Sequence, residues 1–309
     1  MKSLAAVAAV LLALVVAACG RDEPATSTAA RPVVVATTTQ LGDVVRAVAG
    51  GAADVHQILQ PNSDPHEYEP RAQDVQATTD AALVVESGDG LDHWMDEVAQ
   101  QAGGSPARLV IAPGRTPYKV SGESKGVDPH WWHDPRNVVA ATEAIRDALV
   151  QAAPENAERY RRNAARYVAE VRALDRRVAT CMRQVPAAQR KLVTSHDAFN
   201  YFTARYGITV VGALIPSQST QAQPSAGEAA KLAALVRREH VKAIFPESSL
   251  NPRLAQTIAR ETGAKAGYTL YGDTLGPAGS PGDTYLKMEA ANADAMVRGF
   301  TGGALGCSR

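Results

Sequence analysis

Asp128-Pro129-His130-Trp131-Trp132-His133-Asp134-Pro135 is the stretch on which the reading of this chain turns. It has an echo upstream in Asp64-Pro65-His66-Glu67-Tyr68-Glu69-Pro70. Both place a histidine directly after Asp-Pro and bring a second proline soon behind it. Proline fixes its own φ, carries no N–H and disfavours helix at the residue before it. Each histidine therefore sits on a stiff, non-helical loop with carboxylates near enough to orient its ring. Neutral imidazole is the commonest metal ligand, and the hydrogen bond at one ring nitrogen selects which nitrogen faces a metal. Two such loops read as two walls of one metal site. A lone histidine in a turn is more often a solvated or hydrogen-bonded side chain, so the rest of the chain must supply further ligands.

Outward from these loops the chain alternates strand and helix. Val33–Ala36 is a β-branched run, Leu41–Ala49 has helical spacing, and Gly50-Gly51 stops it. Val55–Leu59 is the strand that leads into the first Asp-Pro-His loop. A helix follows near 71–79, a strand at 82–86, a helix at 91–101 and a strand at 108–112. Asp134 and Pro135 form a helix start, as cap and first position. One helix runs from there to about Ala152, and a second from Pro154 to about Arg183, with Tyr160, Tyr167, Val171, Leu174 and Val178 on one face. The second is far longer than the ~11–12-residue average and reads as a stiff spine between two βα lobes; the alternative is a helical hairpin packed on one lobe. Beyond it the same grammar returns. Strands are expected at 192–195, 208–212, 243–245 and 264–270, with helices at 198–206, 225–239, 252–262 and 283–300. The fold class is α/β, with two lobes that each carry a mainly parallel sheet, joined by one long rigid helix.

Ligands of open α/β sheets bind outside the carboxyl ends of the strands. His66 and His130 follow strand-like segments of the first lobe, and His196 and Asp273 hold the corresponding positions in the second. Three imidazoles and a carboxylate suit tetrahedral zinc, whereas manganese prefers more oxygen and higher coordination. His133, Glu67 and Asp128 are candidates for an accessory or supporting place in that site.

The start of the chain has its own logic. Residues 1–18 combine Lys2 with an apolar run from Leu4 to Val16 and read as a signal peptide. Cys19 after Ala17-Ala18 is the expected lipidation point, and residues 19–32 form a lipidated cysteine and flexible tether rich in Ala, Thr, Ser and Pro. The expected location is therefore extracytoplasmic and lipid-anchored at the cell membrane. No later apolar run reaches the ~18–20 residues of a membrane span. Lys plus Arg and Asp plus Glu each number 32, so charge gives no argument for nucleic acid as a partner. Cys181 and Cys307 are the remaining cysteines, and in an oxidising compartment they read as a disulfide; a pair of buried thiols is the alternative. The divisions expected are a first metal-binding lobe at 33–135, a helical linker at 136–185 and a second lobe at 186–309.

With these residues in view, the chain resembles the substrate-binding lipoproteins of zinc and manganese ABC transporters. The two Asp-Pro-His segments carry the resemblance, together with Thr194-Ser195-His196-Asp197-Ala198-Phe199, Tyr206-Gly207, Val241–Phe245 and Tyr271-Gly272-Asp273-Thr274-Leu275. The resemblance implies a monomeric receptor that is not an enzyme. It would hold Zn²⁺, with Mn²⁺ less favoured, on His66, His130, His196 and Asp273 and deliver it to a membrane permease. Relatives that favour manganese usually carry glutamate at the position of His196, which points this chain to zinc. His133 stands where many relatives have leucine, and the histidine-rich loop of some zinc members is absent from 114–127. The rival readings are a manganese or iron receptor of the same family, a zinc-dependent hydrolase with Asp273 as base, and a haem or iron-chelate receptor. The sequence has no helical His-Glu-x-x-His, phosphate loop or Ser-His-Asp order to favour an enzyme.

Overall fold

In the computed structural model the described residues are 31–104, 106–112 and 127–307. The signal peptide, Cys19 with its tether up to Ala30, and most of the 114–127 linker lie outside them. Among the described residues, no helix is long and apolar enough to cross a membrane.

The first lobe runs β1 (Val33–Ala36), α1 (Thr39–Ala49), β2 (Asp54–Gln57), α2 (Ala72–Thr79), β3 (Leu83–Glu86), α3 (Met95–Ala102) and β4 (Ala107–Val110). Its four strands are parallel in the order β2-β1-β3-β4. Alternate side chains of a strand point to opposite faces, and the central strands bury both. Val34, Ala36, Leu83 and Val85 enter one core with α1 residues. Val35 and Val84 pack on Trp94, Met95 and Val98. That explains runs of unbroken valine where a one-sided sheet would alternate. Thr38 caps α1 by accepting from the Leu41 N–H, and Gly50 ends it in the left-handed conformation at φ 56°. α3 starts later than the spacing suggests. Residues 88–90 all take positive φ, and the buried Asp92 carboxylate accepts from the Ser87 and Gly88 N–H groups, so this stretch is a turn.

Two helices connect the lobes. α4 (Pro135–Ala152) has Asp134 as its cap and Pro135 in its first turn. α5 (Ala157–Arg183) is 27 residues, or about 40 Å, and follows a short turn at Pro154–Asn156. Its early part belongs to the first lobe: Tyr160 donates to the Ala52 carbonyl and Asn163 to that of Val48. Its later part belongs to the second, where Asp175 accepts from Arg205 and Tyr206. Tyr160, Tyr167, Val171, Leu174 and Val178 are all buried in a core shared by both lobes. α5 pairs with α4 and spans the lobes as well, so the spine and hairpin readings each describe part of it.

The second lobe contains β5 (Lys191–His196), α6 (Asn200–Tyr206), β6 (Thr209–Ile215), α7 (Ala226–Arg238), α8 (Arg253–Thr262) and α9 (Tyr285–Thr301). β5 and β6 are parallel. The segments 243–245 and 264–270, expected as strands, join only through isolated parallel bridges at Thr194–Phe245, Ala243–Lys265 and Glu247–Leu270. Pro246 has no N–H for the ladder and Gly267 contributes no packing side chain, which shortens both.

A disulfide joins Cys181, near the end of α5, to Cys307, with Cα atoms 5.4 Å apart and a sequence separation of 126. Replacing both cysteines by serine is expected to lower the unfolding free energy by about 2–5 kcal/mol, measured by denaturant titration.

Candidate metal centre

The repeated Asp-Pro-His motif folds the same way twice. The proline has no N–H, so the aspartate carboxylate reaches past it to the histidine N–H: Asp64 Oδ1 accepts from His66 N and Asp128 Oδ1 from His130 N, both at 2.9 Å. Each loop then makes a single tight turn, at Pro65–Glu67 and Trp131–His133. The first turn is fixed from behind. Trp94 donates to the Pro65 carbonyl, Tyr68 packs on the Trp94 ring, and the Tyr68 hydroxyl donates to the fully buried Asp74.

Four side chains from both lobes meet at one point. One donor atom from each of His66, His130, His196 and Asp273 lies within 4.8 Å of all the others, and all four residues are buried. Asp273 Oδ1 is 3.1 Å from His130 Nε2; its Oδ2 is 3.3 Å from His196 Nε2 and 3.7 Å from His66 Nε2. His130 and His196 bring their Nε2 atoms to 3.4 Å. Donors on a tetrahedral zinc at ~2.0–2.1 Å are about 3.3–3.4 Å apart, and the pairs at 3.1–3.7 Å bracket that spacing. His66 Nε2 is buried without a hydrogen-bond partner, and both Asp273 oxygens are buried facing imidazole nitrogens at 3.1–3.7 Å. Such atoms are costly to leave unmatched, and a divalent cation would satisfy all of them at once. Because both Asp273 oxygens face the imidazoles, the set can offer four or five donor atoms.

Carboxylates hold two of the imidazoles from outside. Asp128 Oδ1 lies 2.6 Å from His130 Nδ1, and Glu247 Oε2 lies 2.9 Å from His196 Nδ1. Both contacts turn Nε2 towards the centre. Electrostatics follows from this packing. Burial alone would lower the pKa of His130, but Asp128 and Asp273 outweigh it and raise the value to about 9. Burial likewise opposes the charge on His196, and Asp273 with Glu247 holds it well above the ordinary range. Asp273 goes the other way: burial would raise it, and His196 and His130 hold it well below the usual carboxylate value. Among the described residues, His66 has no outer carboxylate of this kind. Burial pushes it down to about 4 despite the pull of Asp273.

The supporting candidates separate cleanly. Asp128 orients His130. Glu67 is exposed and stands outside the cluster. His133 also lies outside it: its ring stacks on Phe199 at 4.4 Å, and its Nδ1 is 2.7 Å from Glu289 Oε1. The turn at 131–133 is what parts it from His130, with the Trp132 ring in contact with both imidazoles. Trp132 walls the site and donates to the Gly272 carbonyl, next to Asp273, while Trp131 packs edge-on against Trp132 and donates to Ser87. Glu247 was not a candidate from the sequence. It lies two residues past the strand-like segment ending at Phe245, and the strand-end rule that found Asp273 applies to it equally. It also accepts the His196 backbone N–H at 2.9 Å.

Two βα lobes on a shared helix, closing three imidazoles and a carboxylate between them, are the build of the metal-binding receptors that serve ABC transporters. Residues 34–299 match the family described as ZnuA, zinc-uptake complex component A, periplasmic, and the chain belongs to that family. It is a substrate-binding receptor and not an enzyme. The manganese-binding lipoprotein MntA of Halalkalibacterium halodurans is 31% identical over 292 residues, which are 94% of this chain and 96% of that one. The iron-binding protein YfeA of Yersinia pestis is 32% identical, covering 92% and 91% respectively. Among solved structures, the periplasmic zinc-binding protein TroA of Treponema pallidum aligns with a TM-score of 0.81 at 29% identity, covering 87% of this chain and 99% of that one.

Glu247→Ala should leave His196 free to rotate and weaken divalent-metal affinity by about 10–100-fold in a chelator-competition titration.

Proposed function

We propose that this chain is an extracytoplasmic zinc receptor that takes Zn²⁺ from dilute solution between its lobes and delivers it to an ABC-transporter permease. His66, His130, His196 and Asp273 are the proposed ligands. Asp128 and Glu247 orient two of them. The observation that carries the reading is the convergence of three imidazole nitrogens on one carboxylate in a buried place. Nitrogen-rich coordination favours zinc over the harder manganese ion. TroA is named for zinc, while MntA and YfeA are named for manganese and iron. The two Asp273 oxygens facing the group favour a manganese or iron(II) receptor as the second reading, because they would raise the coordination number.

The remaining features fit the same role. Export and lipidation at Cys19 would keep a monomeric receptor beside its permease, with residues 19–32 as tether. The lobes are taken as 33–135 and 186–309, with 136–185 as the helical linker. Ligands drawn from both lobes couple metal capture to a short closing movement of the loops that carry them, because the ion stabilises whichever arrangement brings them together.

Anaerobic titration of the purified apo-protein with Zn²⁺ against Mn²⁺ and Fe²⁺, in competition with a chelator, tests the assignment. Zinc is expected to win, and His196→Glu should shift the preference towards manganese. Equal or tighter manganese binding by the unaltered protein would replace the first reading with the second.

The pH dependence has a definite sign. Without metal, His130 and His196 keep their protons, and a protonated ring has no lone pair to give. Binding must therefore release protons, so affinity should rise with pH through the neutral range and up to about pH 9, where His130 titrates. Calorimetry in buffers of different ionisation enthalpy measures the protons released.

A further inference from the structure

One layer behind the ligand cluster lies a buried polar contact that metal coordination does not use. His133 and Glu289 are 0% and 1% exposed, and their side chains meet at 2.7 Å across 156 residues of sequence. His133 sits on the same tight turn as His130, with its N–H donating to the His130 carbonyl at 3.3 Å. Its ring lies nearly flat on Phe199, at an interplanar angle of 27°, three residues after His196. Glu289 is one turn along α9 from Tyr285, so the two share a face of that helix. Tyr285 donates its hydroxyl to the Trp132 carbonyl at 2.9 Å. Two successive turns of α9 thus grip residues 132 and 133, immediately behind the His130 loop. The second lobe's helix holds the first lobe's ligand turn.

A buried histidine–carboxylate contact is a poor way to gain stability. Well-packed apolar residues of similar volume often do as well or better, and the best-attested use of such a pair is to specify one arrangement among several. We propose that His133 and Glu289 are positioning residues: they bolt the His130 turn to α9, and so hold His130 in register with His196 and Asp273 whether or not metal is bound. The inference rests on the receptor reading above. A ligand held in register in advance is not free to swing away from the ion, so the bolt acts mainly on how long the metal stays.

The test replaces the bolt with packing. In the full-length protein, H133L combined with E289L should keep the apo melting temperature within a few degrees of the original. It should weaken Zn²⁺ binding at least tenfold in chelator competition, with most of the loss in the dissociation rate measured by stopped flow. E289D keeps the carboxyl group but shortens its reach, and serves if the double variant does not fold. It should dissociate Zn²⁺ at least threefold faster. Unchanged dissociation rates in whichever variants fold would overturn the bolt and reduce the pair to packing. Failure of the unaltered protein to bind any of Zn²⁺, Mn²⁺ or Fe²⁺ would instead overturn the receptor reading, and the bolt with it.

Discussion

A carboxylate enclosed by three imidazoles is the constraint around which this molecule is built. Asp273 sits in a place closed to water, where an anion is costly unless cations or strong donors surround it. The first lobe meets that demand with His66 and His130, and the second with His196. In the absence of metal, protons on His130 and His196 stand in for the ion. The cluster is therefore electrostatically satisfied in two ways, by protons or by a divalent cation, and exchange between them is the chemistry a receptor needs. A hydrolase would keep Asp273 back from the metal as a base; here its oxygens lie among the imidazole nitrogens.

Much of this was legible in the sequence because it rests on local rules. The Asp-Pro-His repeat predicts rigid histidine loops, and the aspartate-to-histidine N–H bond shows why that tripeptide recurs. The unbroken valines of β1 and β3 predict strands covered on both faces, and they are. Asp134-Pro135 marks the start of α4 to the residue. The apolar spacing of α5 gives a spine, and its tyrosines reach into the first lobe while its aspartate binds the second.

What was not legible depends on partners far apart in the chain. Glu247 and Glu289 are ordinary acidic residues in the sequence, and only the fold brings them against His196 and His133. The second lobe's outer strands read as strands from their β-branched and apolar residues, but Pro246 and Gly267 reduce them to single bridges. His133 followed a loop rule that holds for His130, and the tight turn sends its ring behind Trp132 instead. The choice among zinc, manganese and iron rests on bond lengths and coordination number, quantities that residue identity only constrains.

The helix α5 carries a mechanical consequence. Its side chains belong to the hydrophobic interiors of both halves, so a wide swing about it would tear apolar surface from each and expose it to water. Large jaw-like opening is costly in such a body, and passage of an ion is left to short-range shifts of the loops that surround it. Molecules built on a common beam trade amplitude for stiffness, which suits a cargo only a few ångströms across.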